Sequence, residues 1–136
     1  MIVDTSALLA LFNSQEPQHE AVTAALAGHG RDPLVVSPYV LAEVDCLVAT
    51  RVGVTAEIDV LRELAGGAWE LPAFGRGDVD SAVGLIAKYA DQAIGLADAS
   101  LVVLAKRYGT RTVATLDRRH FTALRPLDGG RFALVP

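Results

Sequence analysis

Two aspartates stand directly after short apolar runs of the chain. Asp4 follows residues 1–3, and Asp117 follows residues 112–116. Such runs are typical of buried strands, and in an open parallel sheet ligands bind beyond the carboxyl ends of the strands. If the two strands are neighbours, we expect the two carboxylates to converge on one crevice. The alternative is that each aspartate caps a helix by accepting hydrogen bonds from free backbone N–H groups.

A third carboxylate, Glu43, lies within a predicted helix that begins near residue 39. Its neighbours at helical spacing are Val40 and Leu47, so the pattern places Glu43 beside the apolar face and turns Asp45 away from it. A carboxylate near a core needs a partner, because burial of an uncompensated charge is costly. The partner is either a metal ion shared with the other acids or an arginine in a salt bridge.

The fourth carboxylate, Asp98, opens a predicted helix over residues 97–108. It shares a face with Leu101 and Val102, which predicts an inward orientation, although capping of the helix is again an alternative. Four inward acids without a matching row of bases require a cation to offset their repulsion. Carboxylate oxygens without histidine or cysteine spacing favour Mg²⁺, with Mn²⁺ as a substitute, and a phosphate ester as substrate. We therefore predict that Asp4, Glu43, Asp98 and Asp117 are both the metal ligands and the catalytic residues.

The elements that must position these acids are short apolar strands alternating with helices. Parallel strands need crossover connections and are buried on both faces. The predicted fold class is therefore α/β, a three-layer α/β/α sandwich with a central, mainly parallel sheet, in one domain spanning residues 1–136. The predicted helices include residues 16–27, a helix capped by Thr55, and residues 78–90 with Val79 and Val83 on the apolar face.

Composition limits the function classes. The net charge of −4 is not that of a protein that holds nucleic acid by bulk electrostatics. If cations neutralise four of the 16 acids, the remaining acids equal the 12 Lys and Arg in number. The local arrangement of charges, and not the net charge, then decides whether the protein can bind nucleic acid.

The lone Cys46 is predicted to be a small buried side chain. No apolar stretch approaches the ~20 residues that span a bilayer, and no secretory signal is evident, so we expect a cytoplasmic protein without membrane contact.

Four segments together resemble the PIN-domain toxins of the VapC family. They are Ile2-Val3-Asp4-Thr5-Ser6, Glu43 on the helix after the second strand, Gly95-Leu96-Ala97-Asp98-Ala99-Ser100, and Ala114-Thr115-Leu116-Asp117-Arg118-Arg119-His120-Phe121. They occur in the family's order over essentially the whole chain, and carboxylates fill all four acidic positions. The resemblance implies a single PIN-like domain, a Mg²⁺-dependent endoribonuclease acting as the toxin of a toxin–antitoxin pair, an RNA substrate, a VapB-type antitoxin partner and a homodimer.

Further residues around the acids have expected roles. Thr5, Ser6 and Thr115 have hydroxyls that can orient a ligand carboxylate or a bound water, or can simply end strands and cap helices. Arg118 and His120 are predicted to contact RNA phosphates, whereas Arg119 is interpreted as part of a solvated turn. Hydrolysis at such a site leaves 5′-phosphate and 3′-hydroxyl ends. The competing hypotheses are a non-catalytic RNA-binding or regulatory PIN-like module and a phosphoacceptor domain that uses an aspartyl phosphate.

Overall fold

The computed structural model describes residues 1–136, and its centre is a five-stranded sheet in which every strand pair is parallel. The spatial order is β3-β2-β1-β4-β5. The strands are short: β1 (Ile2–Val3), β2 (Leu34–Val36), β3 (Trp69–Glu70), β4 (Thr112–Ala114) and β5 (Ala133–Val135). The three central strands are largely buried, as their apolar runs predict, whereas the edge strands β3 and β5 contain no fully buried residue.

Seven α-helices connect these strands, which confirms the predicted α/β fold class with helices flanking a parallel sheet. Because the strand order steps one way from β1 to β3 and the other way from β4 to β5, right-handed crossovers place helices on both faces. The helices are α1 (Thr5–Phe12), α2 (His19–Ala27), α3 (Pro38–Arg51), α4 (Val54–Leu64), α5 (Arg76–Lys88), α6 (Leu96–Arg107) and α7 (Arg118–Ala123).

The reversal of strand order creates a crevice between the carboxyl ends of β1 and β4. Val3 pairs with Ala114 in register, and the next backbone N–H, that of Asp4, donates to the Ala114 carbonyl at 3.0 Å. Topological switch points of this kind are where open α/β sheets bind ligands. The sheet therefore presents Asp4 and the residues after β4 side by side at its binding edge.

Helix α6 forms the middle of the core. All residues from Ala99 to Ala105 are buried, so this helix is enclosed on every side, and Leu101 and Leu104 have no exposed surface. The N-terminus of α6 carries Asp98, so this carboxylate lies at the border of the core. None of the helices has the length and apolar character needed to cross a membrane.

Several local predictions were wrong. The second helix begins at His19 and not at residue 16, since Pro17 lies in the preceding turn. Helix α4 begins at Val54, and Gly53, with φ +125°, is its N-cap in place of Thr55. Boundaries of this kind depend on backbone geometry that residue types only partly determine.

Two predictions about side-chain orientation were also wrong. On α5 the buried residues are Ala82 and Leu85, while Val79 and Val83 are exposed, because the contact face with α6 is rotated from the predicted one. Cys46 is exposed on α3 and not buried.

Candidate active site

Asp4 is held by hydroxyl groups from both neighbouring segments. Its Oδ2 accepts hydrogen bonds from Ser6 Oγ at 2.9 Å and from Thr115 Oγ1 at 2.7 Å. Asp4 is the N-cap residue of α1, but its side chain accepts no capping hydrogen bond from the helix backbone. Capping therefore does not explain this carboxylate, whose orientation is set by the two hydroxyls.

The electrostatic surroundings of Asp4 disfavour its negative charge. Burial raises the pKa of Asp4 above its ordinary value, the hydroxyls of Thr115 and Ser6 oppose that rise, and the charge of Asp98 adds to it. No basic side chain forms an ion pair with Asp4. The site thus contains a largely buried carboxylate that lacks a positive partner and is disfavoured further by a nearby negative charge.

Both oxygens of the Asp98 carboxylate make contacts that position the side chain. Its Oδ2 accepts from the Gly95 backbone N–H at 3.1 Å, which caps α6, and its Oδ1 lies 3.2 Å from His120 Nδ1. The side chain is 23% exposed, so it is turned inward but open to solvent. The capping role and the inward orientation that the sequence suggested as alternatives are both present.

Glu43 is placed differently from the sequence prediction. The residue is exposed, whereas Asp45 is half-buried and lies beside the carboxyl of Glu57 on α4. Glu43 forms no salt bridge, and its Oε2 accepts a hydrogen bond from Thr5 Oγ1 at 2.6 Å. Since Thr5 follows Asp4 directly, Glu43 stands next to the site and reaches it from the solvent side.

Asp117 is engaged by an arginine from its own turn. Arg119 donates from Nε to Oδ1 at 2.9 Å and from Nη2 to Oδ2 at 2.6 Å, and its backbone N–H donates to Oδ1 at 3.2 Å. Chiefly because of the Arg119 side chain, the pKa of Asp117 is lowered to about 2. Asp117 is therefore the N-cap of α7, as the alternative interpretation of the sequence held. It is also one partner of a bidentate ion pair with Arg119, and the sequence did not predict this pair.

Replacing Arg119 with glutamine is expected to raise the pKa of Asp117 towards the ordinary 3.8. A carboxyl with a lowered folded-state pKa stabilises the fold above pH 3.8, and that contribution is lost as pH falls towards 2. The variant should therefore lose less stability over this interval. The difference should be under about 1 kcal/mol, because the pair is solvent-exposed. Carboxyl ¹³C NMR titration measures the pKa, and urea unfolding at several pH values measures the stability.

Arg118→Gln is the matched control for this substitution. Arg118 is also exposed and adjacent in sequence, but its guanidinium donates to the Pro136 carbonyl and not to Asp117. The pKa of Asp117 should be unchanged in this variant. An equal rise in both variants would show that general charge, and not the bidentate pair, lowers the pKa of Asp117.

The three hydroxyl residues predicted around the acids all lie at the site. Besides contacting Asp4, Ser6 Oγ accepts from the Leu116 backbone N–H at 2.9 Å, and Thr115 Oγ1 accepts from the Asp117 backbone N–H at 3.1 Å. Ser6 and Thr115 also lie 3.2 Å apart through their hydroxyl oxygens. This network joins the ends of β1 and β4 and fixes the Asp4 carboxylate relative to the turn that carries Asp117.

A second pair of hydroxyl groups lies in the core next to the site, and no clear pattern in the sequence indicates it. Ser37, which follows β2, and Ser100 on α6 are both fully buried, with their oxygens 2.6 Å apart. Ser100 also donates to the Ala97 carbonyl. The pair links the start of α3 to the turn of α6 that carries Asp98.

The donor chemistry of the site fits a hard divalent cation. No three His, Cys, Asp or Glu residues are close enough together to form a preassembled metal-binding cluster. However, Mg²⁺ sites typically use one or two carboxylates and complete their shell with water and substrate phosphate oxygens. The carboxylates of Asp4 and Asp98, whose charges interact, fit that requirement, and Glu43 contacts the adjacent Thr5. Both oxygens of Asp117 accept hydrogen bonds from Arg119.

The chain resembles known proteins in family, sequence and structure. The family model described as the PIN domain matches residues 1–125. The chain is 62% identical over 136 residues, covering all of both chains, to Ribonuclease VapC26 of Mycobacterium tuberculosis.

Two solved structures show a similar fold. The first is VapC20 of Mycobacterium tuberculosis, described as a sarcin-ricin loop cleaving toxin, with a TM-score of 0.83, 18% identity, and coverage of 99% of this chain and 98% of that one. The second is a toxin–antitoxin complex from Klebsiella pneumoniae, with a TM-score of 0.72, 16% identity, and coverage of 99% and 95%.

Proposed function

The chain belongs to the PIN-domain family as a VapC-type ribonuclease toxin, and from this premise we propose that it hydrolyses RNA with a divalent cation held by Asp4 and Asp98. The observation that carries the proposal is the buried Asp4 carboxylate at the switch point of the sheet, which has no basic partner and is disfavoured further by the charge of Asp98. Family membership sets aside the phosphoacceptor hypothesis.

The cation would be Mg²⁺, with Mn²⁺ as a substitute, because the four carboxylates offer only oxygen donors. Asp4 and Asp98 would hold it, with Glu43 and Asp117 contributing directly or through water. When bound, Mg²⁺ supplies Lewis-acid chemistry that acidifies water and offsets charge on the scissile phosphate. This role accounts for a site that leaves the charge of Asp4 uncompensated by the chain itself.

The chain's own groups hold the carboxylates in place. Ser6 and Thr115 orient Asp4, Thr5 orients Glu43, and the Gly95 N–H with His120 orients Asp98. Oriented outer groups of this kind keep ligands in productive geometry. We propose that Arg118 and His120, at the rim beside Asp117, contact RNA phosphates, to which arginine can donate two hydrogen bonds.

We also propose that a VapB-type antitoxin covers the groove between α1, α3 and α4. The groove is a cavity of about 530 Å³ with mostly apolar walls that include Phe12, Leu47 and Val60, and its rim includes Ser6 of the site. An occupant of this groove would reach the acids. A homodimer is proposed as well, for which Val79 and Val83 give α5 an exposed apolar patch.

Incubation of antitoxin-free protein with total RNA is expected to yield discrete fragments in Mg²⁺ or Mn²⁺ and none in EDTA. The fragments should carry 5′-phosphate and 3′-hydroxyl ends, because water and not the RNA 2′-hydroxyl attacks the phosphorus. Ligation that requires a 5′-phosphate, followed by sequencing, maps these ends.

Other outcomes of the same incubation would contradict the proposal. Fragments ending in 2′,3′-cyclic phosphates, or cleavage that persists in EDTA, would show a different mechanism. RNA binding without metal-dependent products would support the non-catalytic RNA-binding module.

A further inference from the structure

A second cleft lies away from the acids, between α5, α6 and the segment that follows α7. Its volume is about 370 Å³. Three basic residues from three separate parts of the chain line it: Lys88 near the end of α5, Lys106 near the end of α6, and Arg125 after α7. The remaining lining residues are neutral, so no carboxylate faces these bases inside the cleft.

None of the three bases of this basic cleft forms an ion pair with an Asp or Glu of the chain. The ion pairs of the chain involve Arg62, Arg107, Arg111, Arg119 and His120, and none includes a base of the cleft. The chain has 16 acids and only 12 Lys and Arg, and three of those 12 bases meet here. A protein of net charge −4 therefore has a concave surface lined by three bases without ion pairs, which suits a polyanion.

Two of the bases are held in place before any ligand arrives. Arg125 donates from Nη1 to the carbonyls of Thr122, Ala123 and Leu124 at 2.8–2.9 Å, which fixes the guanidinium at the end of α7. Its Nε and Nη2 form no hydrogen bond within the chain and remain available to a ligand. Lys88 Nζ lies 5.3 Å from the centre of the Tyr89 ring, a cation–π distance.

We propose that the basic cleft binds backbone phosphates of the substrate RNA, as a second contact outside the catalytic site. The inference rests on the proposed ribonuclease function. Lys106 stands eight residues after Asp98 on the same helix, a rise of about 12 Å, so one folded RNA can reach both places. An acidic nuclease cannot attract RNA by its overall charge and needs placed bases of this kind. An RNA backbone is favoured over an acidic protein because it presents anions at regular short intervals.

The test is the double variant Lys88→Gln/Lys106→Gln, with Arg31→Gln/Arg131→Gln as a control of equal charge change at exposed positions outside the cleft. Binding of a structured RNA is measured in EDTA by fluorescence anisotropy at several salt concentrations. The slope of log affinity against log salt should fall by about 2 in the cleft variant, one for each lost phosphate contact. The control variant should keep the wild-type slope.

Cleavage kinetics provide a second readout. On a long structured RNA the cleft variant should show KM raised about tenfold with kcat unchanged, which corresponds to ~1.4 kcal/mol of lost binding. On a short oligonucleotide that covers only the scissile region, wild type and variant should be alike. This split between substrates separates a remote phosphate contact from damage to the acids.

The outcomes distinguish the cleft from the proposed function. If wild type cleaves RNA and the cleft variant keeps the wild-type KM and salt slope, the cleft proposal is overturned and the ribonuclease remains. If the cleft variant loses only an acidic protein partner, the proposal is again overturned. If wild type cleaves no RNA, the proposed function fails, and an unchanged salt slope in the EDTA binding assay would then overturn the cleft as well.

Discussion

Asp4→Asn is expected to lower the rate of RNA cleavage about a thousandfold or more. The substitution preserves the shape of the side chain and an oxygen that accepts from Ser6 and Thr115, so the local hydrogen bonds can persist. What is lost is the negative charge that would hold the cation opposite Asp98. A thousandfold loss corresponds to ~4 kcal/mol of transition-state stabilisation, the scale expected for a metal that offsets phosphate charge. Single-turnover cleavage at saturating Mg²⁺ measures the effect.

The same variant should be more stable than wild type in the absence of metal. The pKa of Asp4 is raised in the folded state, chiefly by burial, so ionisation of this carboxyl opposes folding. Wild-type stability therefore falls as pH rises from 3.8 through the raised pKa, and the stability advantage of the variant opens over that interval and persists at neutral pH. Thermal unfolding in EDTA at pH 4 and pH 7 measures the advantage.

Asp80→Asn is the control for Asp4→Asn. Asp80 is exposed on α5 and forms no ion pair or side-chain hydrogen bond, so neither cleavage nor stability should change appreciably. If Asp4→Asn cleaves within tenfold of wild type while the control behaves as expected, the cation is not held by Asp4. A less stable Asp4→Asn protein would instead indicate that the carboxylate is compensated by a group of the chain.

The parallel architecture of the sheet could be predicted because its signals are local, whereas the order of its strands could not. Except for β3 (Trp69–Glu70), each strand is a short apolar run, and helices with their own stop signals separate the strands, so parallel pairing follows from the connections. The placement of Asp4 and Thr115 at one edge then follows from the neighbouring positions of β1 and β4. For these two residues the position that the apolar runs predict is the position observed in the fold, and no tertiary contact moves them away from it.

The orientation of Glu43 could not be predicted in the same way. The buried row of α3 is Val40, Val44 and Val48, and Glu43 and Asp45 lie on opposite flanks of that row. Which flank is covered depends on the helices packed beside it, and α4 covers the side of Asp45. Helical periodicity identifies the buried row but carries no information about neighbours on its flanks.

The Asp117–Arg119 pair was missed for another reason. A base two residues after an N-cap aspartate usually projects into solvent, and Arg119 is in fact 83% exposed. Its guanidinium nevertheless lies on the carboxylate, because the turn at the start of α7 brings the two side chains together. Exposure and pairing are independent properties, and only side-chain geometry distinguishes a free surface base from one that occupies a candidate ligand.

Leu101→Ala is expected to reduce the free energy of unfolding by about 2–5 kcal/mol, a large part of the stability of a domain of this size. Leu101 is fully buried in α6, where residues Ala99 to Ala105 have no open side into which the structure could relax. The substitution removes transfer free energy and leaves a cavity. Urea unfolding of the metal-free protein measures the loss, which should also lower Tm by ~10 °C.

Val54→Ala on α4 is the matched control, because Val54 is 64% exposed, its truncation creates no cavity, and it belongs to neither proposed interface. Its effect should stay within about 0.5 kcal/mol. A loss below 1 kcal/mol for Leu101→Ala would show that α6 adapts to the cavity. Cleavage by the Leu101→Ala protein well below its Tm should persist, because Asp98 is held from outside the core by the Gly95 N–H and His120. If cleavage is lost while the fold remains, the packing of α6 itself positions the carboxylate.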